Sequence, residues 1–153
     1  MTEHPNRFRA PVAVHLLLVR GDAILLLRRF NTGYEDGNYS VVAGHLDGGE
    51  TVLAAIEREA REEAGIQLDP AATSVVGVMH RQSGEERIDF FVLCTNWTGE
   101  VTNREPEKCD DLRWFPLADL PPNVIPYVRA AISAWHSGTW FTTYGFGPDF
   151  LTC

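Results

Sequence analysis

Three glutamates on one predicted helix face are the clearest sign of chemistry in the sequence. Glu59, Glu62 and Glu63 stand at positions i, i+3 and i+4 of a stretch with the sequence EREAREE. Residues at these spacings are neighbours on a helix surface, so their carboxylates lie within bridging distance of a common point. Three negative charges at such short range repel one another unless a cation lies among them. Carboxylate oxygens at a partly hydrated site suit Mg²⁺ or Mn²⁺ and not zinc.

An acidic helix face also has an ordinary explanation as a solvated surface rich in Glu and Arg. The residues around the helix favour the metal site, because the segment Gly44–Ile66 (GHLDGGETVLAAIEREAREEAGI) resembles the Nudix box. That pattern is G-x5-E-x7-R-E-U-x-E-E-x-G-U, where U is an aliphatic residue. Ala60 is a small residue for its aliphatic position. The specified positions are occupied by Gly44, Glu50, Arg58, Glu59, Glu62, Glu63, Gly65 and Ile66.

The resemblance to the Nudix hydrolase superfamily implies a fold and a reaction class. The fold is an α/β/α sandwich with a central mixed sheet. The reaction is hydrolysis of a diphosphate linkage in a nucleoside diphosphate derivative, with Mg²⁺ or Mn²⁺ as the cofactor. In the family pattern Glu59 and Glu63 are the principal metal ligands. Glu62 is a further ligand or the group that deprotonates water.

The resemblance assigns two more roles within the box. The main-chain carbonyl near Gly44 usually completes the metal shell. Arg58 belongs to the catalytic set, and with Glu50 it forms a pair that orients the loop against the helix. For this pair an architectural role and a chemical role are both open.

Further site residues are expected outside the box. Many family members draw another metal-binding or water-activating carboxylate from a later loop, and here the acid-rich segment 103–111 precedes a predicted strand. Glu107 is the first candidate and Glu105 the second, although either residue is equally compatible with a plain solvated acid. The family topology places Arg28 and Arg29 at a strand end that faces the site. One of the two is expected to hold phosphate.

The substrate is narrowed mainly by features that the sequence lacks. ADP-ribose hydrolases usually carry a proline some 15–16 residues past the box, and dinucleoside polyphosphate hydrolases tend to carry a tyrosine there. Residues 79–82 (MHRQ) supply neither. The coenzyme A pyrophosphatase signature is missing, and the chain is short for the isopentenyl diphosphate isomerase branch. Trp114 and Phe115 lie where related enzymes often line the base pocket by stacking, although a core role suits them equally.

These absences favour the compact branch that converts a nucleoside triphosphate, canonical or oxidised, to a nucleoside monophosphate and pyrophosphate. Three alternatives stay open as pyrophosphatases, with a nucleotide sugar, ADP-ribose or dihydroneopterin triphosphate as substrate. A fourth is a non-catalytic module that binds a nucleotide.

Charge and cysteine content limit the partners. Asp and Glu number 21 against 13 Lys and Arg, which gives a formal net charge of −8. Such a surface repels duplex nucleic acid and anionic membranes. The partner that the family resemblance implies is a small nucleoside di- or triphosphate. A bound divalent metal would supply the positive field that the protein lacks. Three cysteines without CxxC spacing and a polar N-terminus without an apolar segment predict a cytoplasmic protein.

The elements that position the site follow from periodicity and turn residues. Two apolar runs, Val12–Val19 and Ala23–Leu27, flank Gly21-Asp22 and predict a hairpin of buried strands. A helix is predicted over Thr51–Ala64, with Thr51 as N-cap, Gly65 as the terminating glycine, and a buried stripe of Leu53, Ile56, Ala60 and Ala64. The remaining predicted elements are a loop over Asn31–Asn38, strands over Tyr39–Ala43, Val75–His80, Ile88–Thr95 and Leu112–Phe115, and a helix over Pro126–Trp135.

We expect one domain with short extensions. Residues 1–10 form an N-terminal extension, residues 11–137 the Nudix hydrolase domain, and residues 138–153 an aromatic-rich tail. That tail lacks Lys and Arg, and it is too apolar to remain free in solution. It is therefore expected to pack on the domain or on a partner, which makes it a candidate homodimer interface.

Overall fold

The protein is represented by a computed structural model that describes residues 4–147. In these residues the chain forms ten strands and two helices, with a single 3₁₀ turn at Pro70–Ala72. Neither helix has the length and apolar character needed to span a bilayer. The elements are β1 (Val12–Arg20), β2 (Ala23–Arg29), β3 (Tyr39–Ser40), β4 (Ala43–His45), α1 (Val52–Ala64), β5 (Gln67–Leu68), β6 (Thr73–Ser83), β7 (Glu85–Cys94), β8 (Trp97–Thr98), β9 (Cys109–Pro116), α2 (Pro126–His136) and β10 (Phe141–Tyr144).

The sheet is mixed, as predicted. Its main path runs β10-β6-β7-β1-β2-β3, with β4 added to β1 and β9 added to β2. The β1–β7 and β10–β6 pairs are parallel, and the other pairs in this sheet are antiparallel. Strands β5 and β8 form a separate two-stranded ribbon.

Strand β1 is buried on both faces, which explains its continuous apolar run. Val14, Leu16 and Leu18 pack in the cluster that contains α1. The alternate residues Leu17 and Val19 pack in the cluster that contains α2. Because successive side chains of a strand point to opposite faces, the two helices cover opposite faces of the sheet. The predicted α/β/α sandwich is therefore confirmed.

The predicted hairpin is also confirmed, but its two strands separate soon after the turn. Val19 pairs with Ile24 and Arg20 with Ala23, which leaves a two-residue turn. Strand β2 pairs with β9 along its whole length and, further from the turn, also with β3, whereas β1 pairs with β4 and β7. The N-terminal half of β1 therefore lies beside β4, the strand that opens the Nudix box.

Several strand boundaries differ from the sequence prediction. The segment 39–43 is not one strand, because Tyr39–Ser40 pairs with β2 while Ala43–His45 pairs with β1. The hairpin of β6 and β7 is longer than expected, since the polar residues near the turn continue the ladder up to Ser83 and Glu85. Gly84 alone forms the turn, with a φ of 74° that suits glycine.

Helix α1 begins and ends as predicted. The Thr51 side chain accepts a hydrogen bond from the Ala54 N–H, and Gly65 ends the helix in the left-handed conformation with a φ of 67°. The predicted buried stripe is wrong at Leu53, which is 44% exposed. The buried face is displaced around the helix, and it contains Ala55, Ile56, Glu59, Ala60 and Ala64. The displacement brings Glu59 onto the buried face.

Part of the aromatic tail packs on the domain. Strand β10 pairs in parallel with β6 at the edge of the sheet, with Phe141 opposite Val78 and Tyr144 opposite Arg81. Residues 148–153 lie outside the described residues. The homodimer and the division into a domain with two extensions stay predictions.

The displaced stripe gives a stability prediction. Ile56→Ala removes a fully buried side chain, so we expect it to lower the free energy of unfolding by about 2–5 kcal/mol. Leu53→Ala, in the same helix but half-exposed, is the control, with an expected loss of about 1 kcal/mol or less. Urea unfolding of both variants followed by circular dichroism checks the difference. Equal losses would contradict the observed orientation of α1.

Candidate active site

A cleft of about 630 Å³ lies between the box helix and the sheet. It collects residues from β1, β2, β4, α1, β6, β7, β9 and α2, and from the loops after β2 and before β9. Its lining consists of Ala13, His15, Leu27, Arg29, Asn31, Thr32, Tyr34, Ala43, Gly44, His45, Glu59, Glu62, Glu63, Arg81, Arg87, Glu105, Lys108, Cys109, Leu112 and Tyr127.

Glu59 packs directly on the backbone of β4. A Cβ placed on Gly44 would lie 2.1 Å from Glu59 Oε1, so only glycine at this position leaves room for the carboxylate. Glu59 is 9% exposed. Burial raises the pKa of this carboxyl, although the neighbouring Arg58 guanidinium opposes the shift. Gly44 and the Glu59 carboxylate are therefore close neighbours.

Like Glu59, Glu63 belongs to α1 and packs against β4. Its Oε2 accepts a hydrogen bond from the Ala43 N–H at 3.0 Å. Burial and the negative charge of Glu59 raise the pKa of Glu63 well above its ordinary value. Two carboxylates with raised pKa values and little water around them mark a place where a cation is favoured.

Arg58 connects the box loop to the helix. Its Nη2 donates to Glu50 Oε1 at 2.8 Å, and its Nη1 donates to Glu59 Oε1 at 2.6 Å. Nη2 also reaches the His45 carbonyl at 3.3 Å, and Nη1 lies 3.7 Å from Glu62 Oε2. The bond to Glu50 is the largest contribution that raises the pKa of Arg58. The predicted pair of Arg58 and Glu50 is present, and the same guanidinium also neutralises Glu59.

The three helix glutamates do not converge on one point in this arrangement. Glu59 faces Arg58, Glu63 faces β4, and the Glu62 side chain is 52% exposed at the cleft wall. Among residues 4–147 no three His, Cys, Asp or Glu side chains are grouped closely enough to hold a metal ion. The donor set still fits a hard divalent cation, because it offers carboxylate oxygens and backbone next to a glycine.

The structure reverses the order of the two acidic loop candidates. Glu107, the first candidate, is exposed and lies outside the cleft lining. Glu105 lines the cleft, and its negative charge contributes to the raised pKa values of Glu59 and Glu63. The reason is a turn closed by Lys108 N and Cys109 N, which both donate to the Glu105 carbonyl. This turn holds Glu105 at the cleft and carries Glu107 on its outer part.

The structure also separates the two arginines at the end of β2. Arg28 forms an exposed ion pair with Asp110, at 2.7 Å, and does not line the cleft. Arg29 lines the cleft and donates to the Tyr34 carbonyl and to Thr32 Oγ1, at 2.7 and 3.0 Å. Both acceptors are neutral, so these hydrogen bonds do not neutralise the positive charge of Arg29.

Trp114 and Phe115 do not reach the cleft. Trp114 stacks on Trp97, with 5.6 Å between ring centroids, and packs against the α1 cluster. Phe115 meets Tyr39 edge to face and packs against the α2 cluster. As neighbours on β9 they point to opposite faces of the sheet, and each contributes to a core. The aromatic side chains of the cleft are Tyr34 and Tyr127.

Sequence reasoning missed a polar cluster at the bottom of the cleft. His15 on β1, Arg81 on β6 and Asp89 on β7 are all buried, and α2 contributes Tyr127 above them. A signal was present, because His15 and Asp89 are polar residues inside otherwise apolar predicted strands. Buried polar groups are hydrogen-bonded as a rule, so these two positions needed partners from elsewhere in the chain.

The histidine of this cluster gives a pH prediction. Burial lowers the pKa of His15 below its ordinary 6.5, although the bond with Asp89 opposes the shift. Just below pH 6.5 the unfolded chain therefore binds this proton while the native state does not, so stability falls as the pH falls. His15→Gln removes this titration, and we expect a smaller loss of unfolding free energy between about pH 7.5 and 5.5. Urea unfolding at both pH values tests this, and equal losses in both proteins would contradict it.

Comparison with known proteins identifies the family. The NUDIX domain model matches residues 9–136. An NAD-capped RNA hydrolase NudC from Pseudomonas aeruginosa is 33% identical over 107 residues, which cover 70% of this chain and 36% of that protein. The NudC of Stutzerimonas stutzeri is 30% identical over 109 residues, with 69% and 36% covered. The chain thus spans about a third of the length of these relatives.

Solved structures agree with the family match. A MutT NUDIX hydrolase from Burkholderia pseudomallei superposes with a TM-score of 0.76 and 29% identity, covering 82% of this chain and 98% of that one. A MutT protein from Bacillus halodurans has a TM-score of 0.71 and covers 92% of both chains, and at 21% identity it supports the fold alone. With the box residues of α1 and β4 assembled along one cleft, the chain belongs to the NUDIX domain family.

Proposed function

We propose that this chain is a pyrophosphohydrolase that cleaves a diphosphate linkage in a nucleoside diphosphate derivative with the help of Mg²⁺ or Mn²⁺. The observation that carries the proposal is the pair Glu59 and Glu63, two partly desolvated carboxylates packed on β4 in a cleft of about 630 Å³. A volume of this size falls within the range of small-molecule sites. Relatives named as hydrolases support the reaction class.

Glu59 and Glu63 would hold the metal, with Gly44 supplying backbone oxygen. A divalent cation bound there neutralises the carboxylates, attracts diphosphate oxygens and lowers the pKa of a water molecule. Glu62 stands on the same helix at the cleft wall, where it serves either as a further ligand or as the acceptor of the water proton. Glu105 takes the place that we first expected for Glu107.

Positive side chains at the cleft complement the substrate phosphates. The two hydrogen-bond acceptors of Arg29 are neutral and do not balance its positive charge. Lys108 and Glu105 also line the cleft. Arg58 has a different role. Its bonds to Glu50 and Glu59 fix the box loop against α1, so we assign it to positioning the carboxylates.

A nucleoside triphosphate, canonical or oxidised, is the first substrate candidate. The branch features of other substrate classes are absent, and the structural neighbour at 29% identity is a MutT NUDIX hydrolase. The second candidate is a dinucleotide such as NAD or an NAD-capped RNA end. It is favoured by the NudC relatives at 30–33% identity. With this candidate open, the net charge alone no longer excludes an RNA partner.

A product assay tests the proposal. With millimolar Mg²⁺ we expect a nucleoside triphosphate to give a monophosphate and pyrophosphate, and we expect EDTA to abolish turnover because the acids need a cation. The panel includes ADP-ribose, a nucleotide sugar, NAD and an NAD-capped RNA, with products identified by mass spectrometry. Undiminished turnover in EDTA would refute the metal-dependent reaction. A kcat/KM for NAD far above that for every triphosphate would replace the first substrate candidate by the second.

A matched pair of helix variants tests the site. Glu63→Gln preserves side-chain shape and removes one negative charge, so the fold should persist while kcat falls by roughly 100-fold or more. Glu57→Gln changes the same residue type on the same helix outside the cleft lining, and we expect little effect. Steady-state kinetics and thermal melts of both proteins decide the question. Equal kinetic effects would show that the acids of α1 form an ordinary solvated face.

A further inference from the structure

The polar cluster at the bottom of the cleft is closely bonded within itself. His15 Nε2 lies 3.0 Å from Asp89 Oδ1, and Arg81 donates to Asp89 Oδ2 from Nε at 2.6 Å and to Oδ1 from Nη2 at 3.2 Å. His15 and Arg81 are 2% exposed and Asp89 is fully buried. The Arg81 guanidinium lies over the Tyr127 ring at 3.6 Å from its centroid. These four residues, termed the cleft floor below, have fixed positions.

The cleft floor carries no net charge. Burial alone would raise the pKa of Asp89, but the bonds from His15 and Arg81 outweigh it and lower that pKa to about 2. Asp89 is therefore ionised, and the Arg81 guanidinium balances it. His15 is neutral near pH 7, because burial lowers its pKa. A balanced floor does not attract phosphate, and it suits an uncharged group.

The hydrogen bonds also fix the tautomer of His15. An ionised carboxylate only accepts hydrogen bonds, so Nε2 must carry the proton that faces Asp89. In a neutral imidazole the other nitrogen, Nδ1, is then an acceptor. Nδ1 is buried and has no hydrogen-bond partner among the described residues. Arg87 pairs with Arg81 across the strands and also lines the cleft. Its donor atom Nε is likewise buried and has no hydrogen-bond partner among the described residues.

Buried polar atoms without partners are rare in folded proteins, and each one needs a reason. Both atoms belong to residues that line the cleft. One atom accepts a hydrogen bond and the other donates one. A bound ligand with an N–H or O–H would satisfy His15 Nδ1, and a ligand lone pair would satisfy Arg87 Nε.

We propose that the cleft floor is the specificity subsite for the uncharged half of the substrate, with His15 Nδ1 accepting a hydrogen bond from an N–H or O–H of the base or the ribose. The nucleotide nature of this ligand rests on the proposed function. Phosphates lie toward Arg29, Lys108 and the α1 carboxylates, and the neutral half lies over His15. His15 is then a specificity-determining residue that takes no part in the hydrolytic step.

Nuclear magnetic resonance of the wild-type protein tests the contact without any turnover. The ¹⁵N resonance of His15 Nδ1 is followed in EDTA during titration with adenosine, guanosine, cytidine and uridine 5′-monophosphates. Their 2′-deoxy forms and ribose 5-phosphate are titrated as well. We expect a saturable shift of Nδ1 with at least one ribonucleotide. A shift that persists with the deoxy form and vanishes with ribose 5-phosphate assigns the donor to the base, and the opposite pattern assigns it to the ribose.

A matched substitution tests specificity. His15→Gln retains a side-chain N–H for Asp89, and its own acceptor, Oε1, does not lie at the position of Nδ1. We expect kcat/KM for the best substrate to fall by about tenfold, as for one lost hydrogen bond, while an analogue without the donor loses less than about twofold. Equal losses for both substrates would show a merely structural role and overturn the proposal. So would an Nδ1 resonance that stays fixed at saturating nucleotide, a result that does not depend on how the variant folds.

The two proposals fail separately. A nucleotide-dependent shift of His15 Nδ1 without hydrolysis of any compound would support the subsite while refuting the hydrolase. Metal-dependent hydrolysis with an unchanged Nδ1 resonance would do the reverse.

Discussion

The carboxylates of Glu59 and Glu63 pack on the backbone of β4, and the rest of the cleft depends on this contact. Gly44 makes it possible, because a side chain at that position would overlap the Glu59 carboxylate. The Ala43 N–H holds Glu63 in place. Burial raises the pKa of both acids, and the negative charge of Glu59 adds to the shift of Glu63. The fold holds the two carboxylates close together because α1 is capped at both ends, buried on one face and fixed to the box loop by Arg58.

The cleft combines three electrostatic environments within one acidic protein. The carboxylates of α1 form a negative end that favours a cation. Arg29 and Lys108 place positive charge on the cleft wall. The cleft floor is polar but balanced, since Asp89 and Arg81 neutralise each other. A nucleotide has the complementary arrangement, with a metal-bound diphosphate at one end and an uncharged base and sugar at the other. The formal net charge of −8 is therefore a property of the whole chain and does not represent the local charges in the cleft.

The confirmed predictions are those that depend on local spacing in the sequence. The helix that bears Glu59 and Glu63, its caps at Thr51 and Gly65, and the β1–β2 hairpin depend on residues close together in the chain. The three glutamates, however, do not meet at one point, because Glu59 bonds to Arg58 of the same helix whereas Glu63 accepts from the Ala43 N–H beside β4.

Features that depend on distant contacts were mistaken or missed. Glu105 lines the cleft and Glu107 does not, because a turn closed by backbone hydrogen bonds carries Glu107 outward. Trp114 and Phe115 are partly buried and pack against the two core clusters, because β9 is covered on both faces. The cleft floor joins residues as far apart as His15 and Asp89, which are 74 positions apart along the chain. Hydrophobic periodicity indicates local structure and does not predict such a contact.

Crystals grown with Mn²⁺ and a non-hydrolysable nucleoside triphosphate analogue test the central claim most directly, because manganese is located by its anomalous scattering. We predict a Mn²⁺ peak coordinated by Glu59 and Glu63 next to Gly44, with Glu59 released from Arg58. A peak elsewhere, or no peak with the nucleotide bound, would contradict the assignment of these carboxylates as the metal site.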